Sequence, residues 1–245
     1  MRILVTGARG ILGRRVTKLV AERGHQPVTA GREGADHVLD LATGQGLDSG
    51  FDNVDSLIHC ATDPRRHEAV DAAGSRRLLA VVEAPVVYPG IVGSDVIPLG
   101  YYRSKIRAEE AVADHPPGFT IVRATQFHQL IWTTAARLSR MPVMVVPNGT
   151  RFQPIDPNSL ARVLVEAALT GPAGRLPDVG GKFAYEAKEL ARSCLSAMGR
   201  RRPIVSVNMP GITGAAFRAG GNVTPNRDES GETWNDFIAR RIQPR

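Results

Sequence analysis

Arg2-Ile3-Leu4-Val5-Thr6-Gly7-Ala8-Arg9-Gly10-Ile11-Leu12-Gly13 decides how the chain is read. A short apolar run meets three glycines at three-residue spacing, and Leu12, Val16, Leu19 and Val20 then recur at helical period up to Gly24. The pattern is strand, glycine turn, helix. A diphosphate bound at such a turn needs backbone N–H groups, close approach of the main chain and the positive end of a helix, and a side chain on the turn obstructs all three. With 25 glycines in 245 residues the spacing alone carries little weight. Its place, directly after an N-terminal strand and at the mouth of an amphipathic helix, is what predicts a dinucleotide site.

Outward from this turn, short strands are expected at residues 28–30, 38–39 and 56–60, then a helix over 68–82, a strand at 85–88, a helix over 101–113 and a strand at 119–123. Strands alternating with helices imply a parallel sheet covered on both faces, because each parallel return needs a crossover long enough to hold a helix. The expected fold class is therefore α/β, a doubly wound parallel sheet of the Rossmann type. Beyond residue 125 the pattern loosens to helices near 126–140, 159–169 and 185–198 and a strand at 143–146. No repeat or linker divides the chain, so residues 1–245 read as a single domain, with residues 150–245 contributing most of a small C-terminal substrate-side lobe.

Composition narrows the classes further. At 42% hydrophobic and 22% charged, the chain is neither disordered nor fibrous, and no apolar run approaches the roughly 20 residues of a membrane span. No secretory leader is recognised ahead of the first strand. The two cysteines, Cys60 and Cys194, argue against a disulfide framework, and no His, Cys and carboxylate grouping has metal-ligand spacing, so no metal is expected. A reducing cytoplasm is the expected compartment. The net charge of +7 comes from 31 basic residues, nearly all arginine and scattered along the chain. With aromatics at 5% there is no basic stripe interleaved with rings, so nucleic acid is not the expected partner and a small anion fits better.

Two further signals concern chemistry. The second strand runs into Gly31-Arg32, where an acid would bind the ribose of NAD and an arginine would pair with the 2′-phosphate of NADP; Arg9 lies within reach of the same phosphate. NADP is therefore expected over NAD, with Glu33 as the acid of the opposite reading. Tyr101 and Lys105 stand four apart on an expected helix and share a face, in a chain where chance predicts roughly 0.07 such pairs. A phenol trades a proton with a carbonyl or alcohol once an adjacent ammonium stabilises its phenolate, and the same lysine is placed to bind the nicotinamide ribose.

These segments together resemble the short-chain dehydrogenase/reductase superfamily, in its atypical, NmrA-like NAD(P)-binding branch. The stretch Thr6 to Gly13 looks like that family's glycine turn, which implies Thr6, Gly7, Arg9, Gly10, Ile11 and Leu12 as cofactor contacts, with Arg32 beside them. Asp40-Leu41 looks like the adenine-side contact. Ala61-Thr62, Lys105 and Ala124-Thr125-Gln126-Phe127 look like the nicotinamide side, and Tyr101 with Lys105 like the catalytic pair. Phe152 to Asp156 and Thr233-Trp234 also match. Two departures stand out: glycine, Gly90, occupies the position of the family's active serine, with Ser94 the nearest substitute, and Asp71 replaces an asparagine. His59 is expected to be a satisfied core histidine, Cys60 a small buried residue, and His128 a substrate contact.

The expected function is an NADPH-dependent oxidoreductase that passes hydride to a carbonyl, quinone or related small acceptor. Two other readings stay open at this point. One is an NADP-binding redox sensor with a protein partner; the other is a non-redox cyclase or dehydratase using Asp71, Tyr101 or His128.

Overall fold

The computed structural model describes residues 1–47, 51 and 53–242. In chain order the elements are β1 (Arg2–Thr6), α1 (Gly13–Glu22), β2 (Gln26–Gly31), β3 (His37–Val38) and β4 (Ser56–His59). A π-helical turn, Glu68–Ala72, then runs into α2 (Ala73–Leu79), followed by β5 (Val86–Ile91), α3 (Gly100–Ala113) and β6 (Phe119–Ala124). The remainder comprises α4 (His128–Leu138), β7 (Met144–Pro147), β8 (Arg151–Phe152), α5 (Pro157–Thr170), β9 (Gly174–Arg175), β10 (Tyr185–Glu186), α6 (Ala187–Ala197), β11 (Ile204–Val207), α7 (Gly211–Arg218) and α8 (Trp234–Ile242).

β1 is central because its side chains have apolar cover on both faces. Ile3 and Val5 pack into one cluster with Val16 and Val20 of α1 and Leu160 and Leu164 of α5, while Leu4 packs into another with Leu78 of α2 and Ala108 and Val112 of α3. The sheet runs β3-β2-β1-β4-β5-β6-β9 with every pairing parallel. This is the doubly wound α/β architecture. Connections from β1 go one way to β2 and from β4 the other way to β5, so the order reverses between β1 and β4 and opens a crevice at their carboxyl ends.

The later elements differ more from expectation. The helix expected over 68–82 begins as a π turn, whose extra residue swings Asp71 inward, where it is fully buried. α5 begins at Pro157 rather than 159, because Asp156 caps it by accepting the Asn158 N–H and proline suits the first helical position. Of the stretch 150–245, α5 and β9 return to the sheet, whereas α4 and β7 from before residue 150 enter a third cluster with α6 and α8. Trp234 and Phe237 stack at its centre with ring centroids 5.4 Å apart. Gln153 ties this part to the sheet edge: its amide donates to Gly181 O and Thr224 O and accepts the Thr224 N–H. Among the described residues, no helix is long and apolar enough to cross a membrane.

Phe237 has no exposed surface and contacts both Trp132 and His128, so truncation leaves a cavity that α8 cannot close. Phe237→Ala is expected to lower unfolding free energy by about 3–5 kcal/mol in a denaturant titration; a loss below about 1 kcal/mol would show that α8 is not integral to the packing.

Candidate active site

The glycine turn stands at the point where the strand order reverses. Gly7 adopts φ +63°, and a Cβ there would lie 2.8 Å from the backbone of Ala61, which follows β4. A Cβ on Gly13 would overlap the Gly7 carbonyl oxygen and lie 2.8 Å from Ala8 Cα. Two of the three glycines are thus required by the close approach of turn, helix and neighbouring strand. Arg9, Gly10 and Ile11 are exposed along the open side of the turn, above the N-terminus of α1, while Leu12 is buried against the sheet. The Gly10 N–H donates to Gly7 O, closing the turn, and the exposed turn above the helix N-terminus fits a diphosphate.

At the tip of β2, Arg32 is exposed immediately beyond the last strand residue. Arg9 reaches the same loop, donating to Glu33 O at 3.1 Å with its guanidinium 3.9 Å from the Glu33 carboxylate. Two arginines therefore share this corner, and Glu33 is turned toward one of them. Asp40 accepts the Ala42 N–H at 2.8 Å and lies 3.6 Å from Arg66, whereas Leu41 is a core side chain packed against Gly74. Arg66, which sequence reasoning did not single out, bridges Asp40 and Asp63 across this part of the crevice.

A buried polar cluster lies beneath the opposite half of the crevice. Thr62, after β4, donates its hydroxyl to Asp71 Oδ1 at 2.6 Å and sits 2.8 Å from the Tyr101 hydroxyl. Lys105 Nζ lies 3.8 Å from the same carboxylate oxygen and 4.2 Å over the Tyr88 ring. The spacing of Tyr101 and Lys105 on α3 does bring both to one cluster, yet the electrostatics run opposite to the expected shift. Burial and then the Asp71 charge push the Tyr101 phenol above its ordinary range, and burial pulls the Lys105 ammonium down. Lys105 spends its charge on Asp71.

His59 is the satisfied core histidine expected from its strand. Ser75 donates its proton to Asp71 O, so it accepts from His59 Nε2 at 2.9 Å, which leaves Nδ1 to accept from Thr6 at 2.6 Å. The imidazole is neutral, and burial drives its pKa down to about 3. Thr6 also accepts the Ala61 N–H, so one chain of hydrogen bonds links the ends of β1 and β4 to α2. Cys60 is partly buried among apolar side chains, and burial raises its thiol to about 12.

Gly90 pairs in register with Arg123 on β6. A Cβ there would overlap Glu109 Oε1 and come within 2.7 Å of Arg123 Cγ. Arg123 donates to Glu109 from Nε and Nη2 and to Asp95 from Nη1, and both members of the Arg123–Glu109 pair are buried. Parting such a pair costs about 3–5 kcal/mol, so no serine fits at 90 while it stands. Ser94, the nearest substitute, is buried, and its hydroxyl has no hydrogen-bond partner among the described residues.

His128 does not face the crevice. It is fully buried between Trp234 and Phe237, at centroid distances of 5.9 and 5.1 Å, because the first turn of α4 points into the third cluster. The side chains after β6 serve as ties: Thr125 donates to Gln153 O at 2.6 Å, Gln126 donates to Asn222 O at 3.0 Å, Ala124 is buried, and Phe127 pairs with Ile155. His67, unnoticed in the sequence, accepts or donates to Ser104 at 2.8 Å and lies 6.1 Å from the Tyr101 ring, centroid to centroid. A separate cleft of about 940 Å³ lies between α6 and β11, lined by Lys188, Arg192 and Arg200 to Arg202 together with Leu195, Ser196 and Ile204, and shares no lining residue with the glycine turn. No grouping of three or more His, Cys, Asp or Glu side chains that could hold a metal occurs among the described residues.

Comparison with known proteins follows the same lines. No family model matches the chain. A (4-alkanoyl-5-oxo-2,5-dihydrofuran-3-yl)methyl phosphate reductase of Streptomyces griseus is 30% identical over 219 residues, covering 81% of this chain and 74% of that protein. An uncharacterized protein of Mycobacterium tuberculosis is 25% identical over 225 residues, covering 86% of this chain, which spans only 24% of that longer protein. Among solved structures, the NADPH-dependent quinone oxidoreductase of Escherichia coli complexed with NADPH superposes with a TM-score of 0.77 at 18% identity, covering 98% of this chain and all of that one, a likeness of fold. Taken with the parallel sheet and its glycine turn, the Streptomyces match places this chain in a family: it belongs to the short-chain dehydrogenase/reductase superfamily, among its atypical members.

Proposed function

We propose that the chain is an NADP-dependent reductase that delivers hydride to a carbonyl, quinone or related small-molecule acceptor, with Tyr101 as proton donor. The observation that carries this reading is the Tyr101 hydroxyl, half-buried beside the switch-point crevice and joined through Thr62 to Asp71 and Lys105. One of the similar proteins is a reductase by name, and another is an NADPH-dependent quinone oxidoreductase solved with NADPH.

The turn fits the dinucleotide, since Gly7 and Gly13 let it close onto β4 and α1 while Arg9, Gly10 and Ile11 stay exposed above the start of the helix. Thr6, Gly7, Arg9, Gly10, Ile11 and Leu12 would hold the diphosphate, Arg32 and Arg9 the 2′-phosphate, and Asp40 and Leu41 the adenine side. Ala61, Thr62, Lys105 and the backbone of Ala124 to Phe127 would border the nicotinamide half. When bound, the reduced cofactor supplies the hydride. Tyr101 then gives its proton to the acceptor oxygen, and Thr62 holds the phenol in line while His59, fixed and neutral, keeps the ends of β1 and β4 together.

A sensor reading, in which NADP redox state is passed to a protein partner, draws on one specific observation: the Arg123–Glu109 pair fills the space that a substrate-holding serine would need. Binding of NADP⁺ and NADPH with clearly different affinities but no turnover with any acceptor would favour it.

Tyr101→Phe is expected to lower NADPH oxidation by about 10²–10⁴-fold while leaving NADPH affinity within a few-fold; full turnover by this variant would remove Tyr101 from the chemistry. Arg32→Ala is expected to weaken NADPH far more than NADH in calorimetric titrations, by about 10-fold or more for a lost charge-assisted contact. Equal losses for the two cofactors would contradict the NADP assignment.

A further inference from the structure

Asp71 has no exposed surface, and each of its carboxylate oxygens has a partner. Oδ1 accepts the Thr62 hydroxyl at 2.6 Å and faces Lys105 Nζ at 3.8 Å; Oδ2 accepts the Asp63 N–H at 3.1 Å. A threonine has one hydroxyl proton, and here Asp71 takes it. The 2.8 Å contact between Thr62 and Tyr101 is therefore one in which the phenol donates.

The other groups around this cluster do not alter that direction. From β4 comes His59, neutral between Thr6 and Ser75; from β5, Tyr88, whose ring lies under Lys105. From α3, Glu109 is committed to Arg123. On the segment after β4, Asp63 and Arg66 face one another at 3.5 Å, and His67 is held by Ser104. Lys105 is thus the cation that Asp71 meets inside the protein.

We propose that Asp71 is a positioning residue that keeps Tyr101 in its protonated, proton-donating form, by neutralising Lys105 and by fixing through Thr62 the direction of the phenol's hydrogen bond. An uncharged side chain in its place would release the ammonium to stabilise a phenolate one helical turn away. The Tyr101 shift has the matching direction, burial first and then the Asp71 charge holding the phenol above its usual range, while at Lys105 the Asp71 carboxylate opposes the burial that lowers the ammonium. The catalytic meaning rests on the reductase reading: a phenol held this way is present in the proton-bearing form that reduction of an acceptor consumes, and the phenolate that oxidation of an alcohol would need is scarce.

The test is a pH titration of protein carrying ¹³C-labelled tyrosine, followed by NMR at the ring Cζ without cofactor or substrate. There are four tyrosines, and the Tyr101 resonance is identified by its loss in Tyr101→Phe. Wild-type Tyr101 is expected to stay protonated to the highest pH at which circular dichroism shows the fold intact. In Asp71→Asn it should ionise at a midpoint lower by about one pH unit or more, the usual effect of freeing a nearby opposite charge. Asp71→Ser gives the same readout should the amide variant not fold. Ionisation in the variants no earlier than in wild type, or wild-type ionisation at or below the ordinary phenol range, would overturn the proposal. Because no turnover is measured, a failed reductase assay leaves this result standing, and an active reductase with unshifted midpoints rejects Asp71 alone.

Discussion

The carboxyl ends of β1 and β4 approach so closely that Gly7 has no room for a side chain beside Ala61, and that contact governs the rest of the site. It sets the crevice where the sheet order reverses and brings Thr6 against His59. From there, hydrogen bonds run through Ser75 to the backbone of Asp71. A buried neutral histidine with both nitrogens satisfied costs little and fixes geometry, whereas the same ring left unpaired would carry a desolvation penalty of about 1–3 kcal/mol. The glycine turn and the Tyr101 cluster are therefore two ends of one rigid assembly.

Two substitutions that look like losses against the family pattern have physical counterparts in the packing. Gly90 is matched by Glu109, whose carboxylate lies where a side chain at 90 would start, and Glu109 in turn is held by Arg123. Asp71 is matched by Lys105 and Thr62. In both cases a buried charge has its counter-charge and its hydrogen bonds, the condition under which ion pairs persist in protein interiors. The loss of the serine and the gain of the acid thus belong to a changed polar network around the same phenol, with Thr62 supplying the hydroxyl nearest to it.

The first 124 residues were legible because their signals are local and periodic. A short apolar strand buried on both faces such as β1, a glycine turn and the amphipathic α1 can each be read within a dozen residues. The shared face of Tyr101 and Lys105 was equally legible, since helical spacing alone decides it. What eluded the sequence depends on distant partners. β8, β9 and β10 are two residues long and have no periodicity to detect. β11, α7 and α8 went unassigned, and α8 is held by Trp234 and Phe237 packing against helices far away in sequence. His128 was misplaced for the same reason, because its burial is set by α8 rather than by its own neighbours. The direction of the Tyr101 shift was also hidden, since it requires knowing that a π turn delivers Asp71 to Lys105.

A crystal structure grown with NADPH tests the central claim most directly. The account predicts the diphosphate over the exposed backbone of Arg9 to Ile11, the adenosine phosphate between Arg9 and Arg32, and the nicotinamide ring beside Tyr101. A crevice without cofactor at saturating NADPH, or cofactor held instead by the arginine-lined cleft near Arg200 to Arg202, would contradict it.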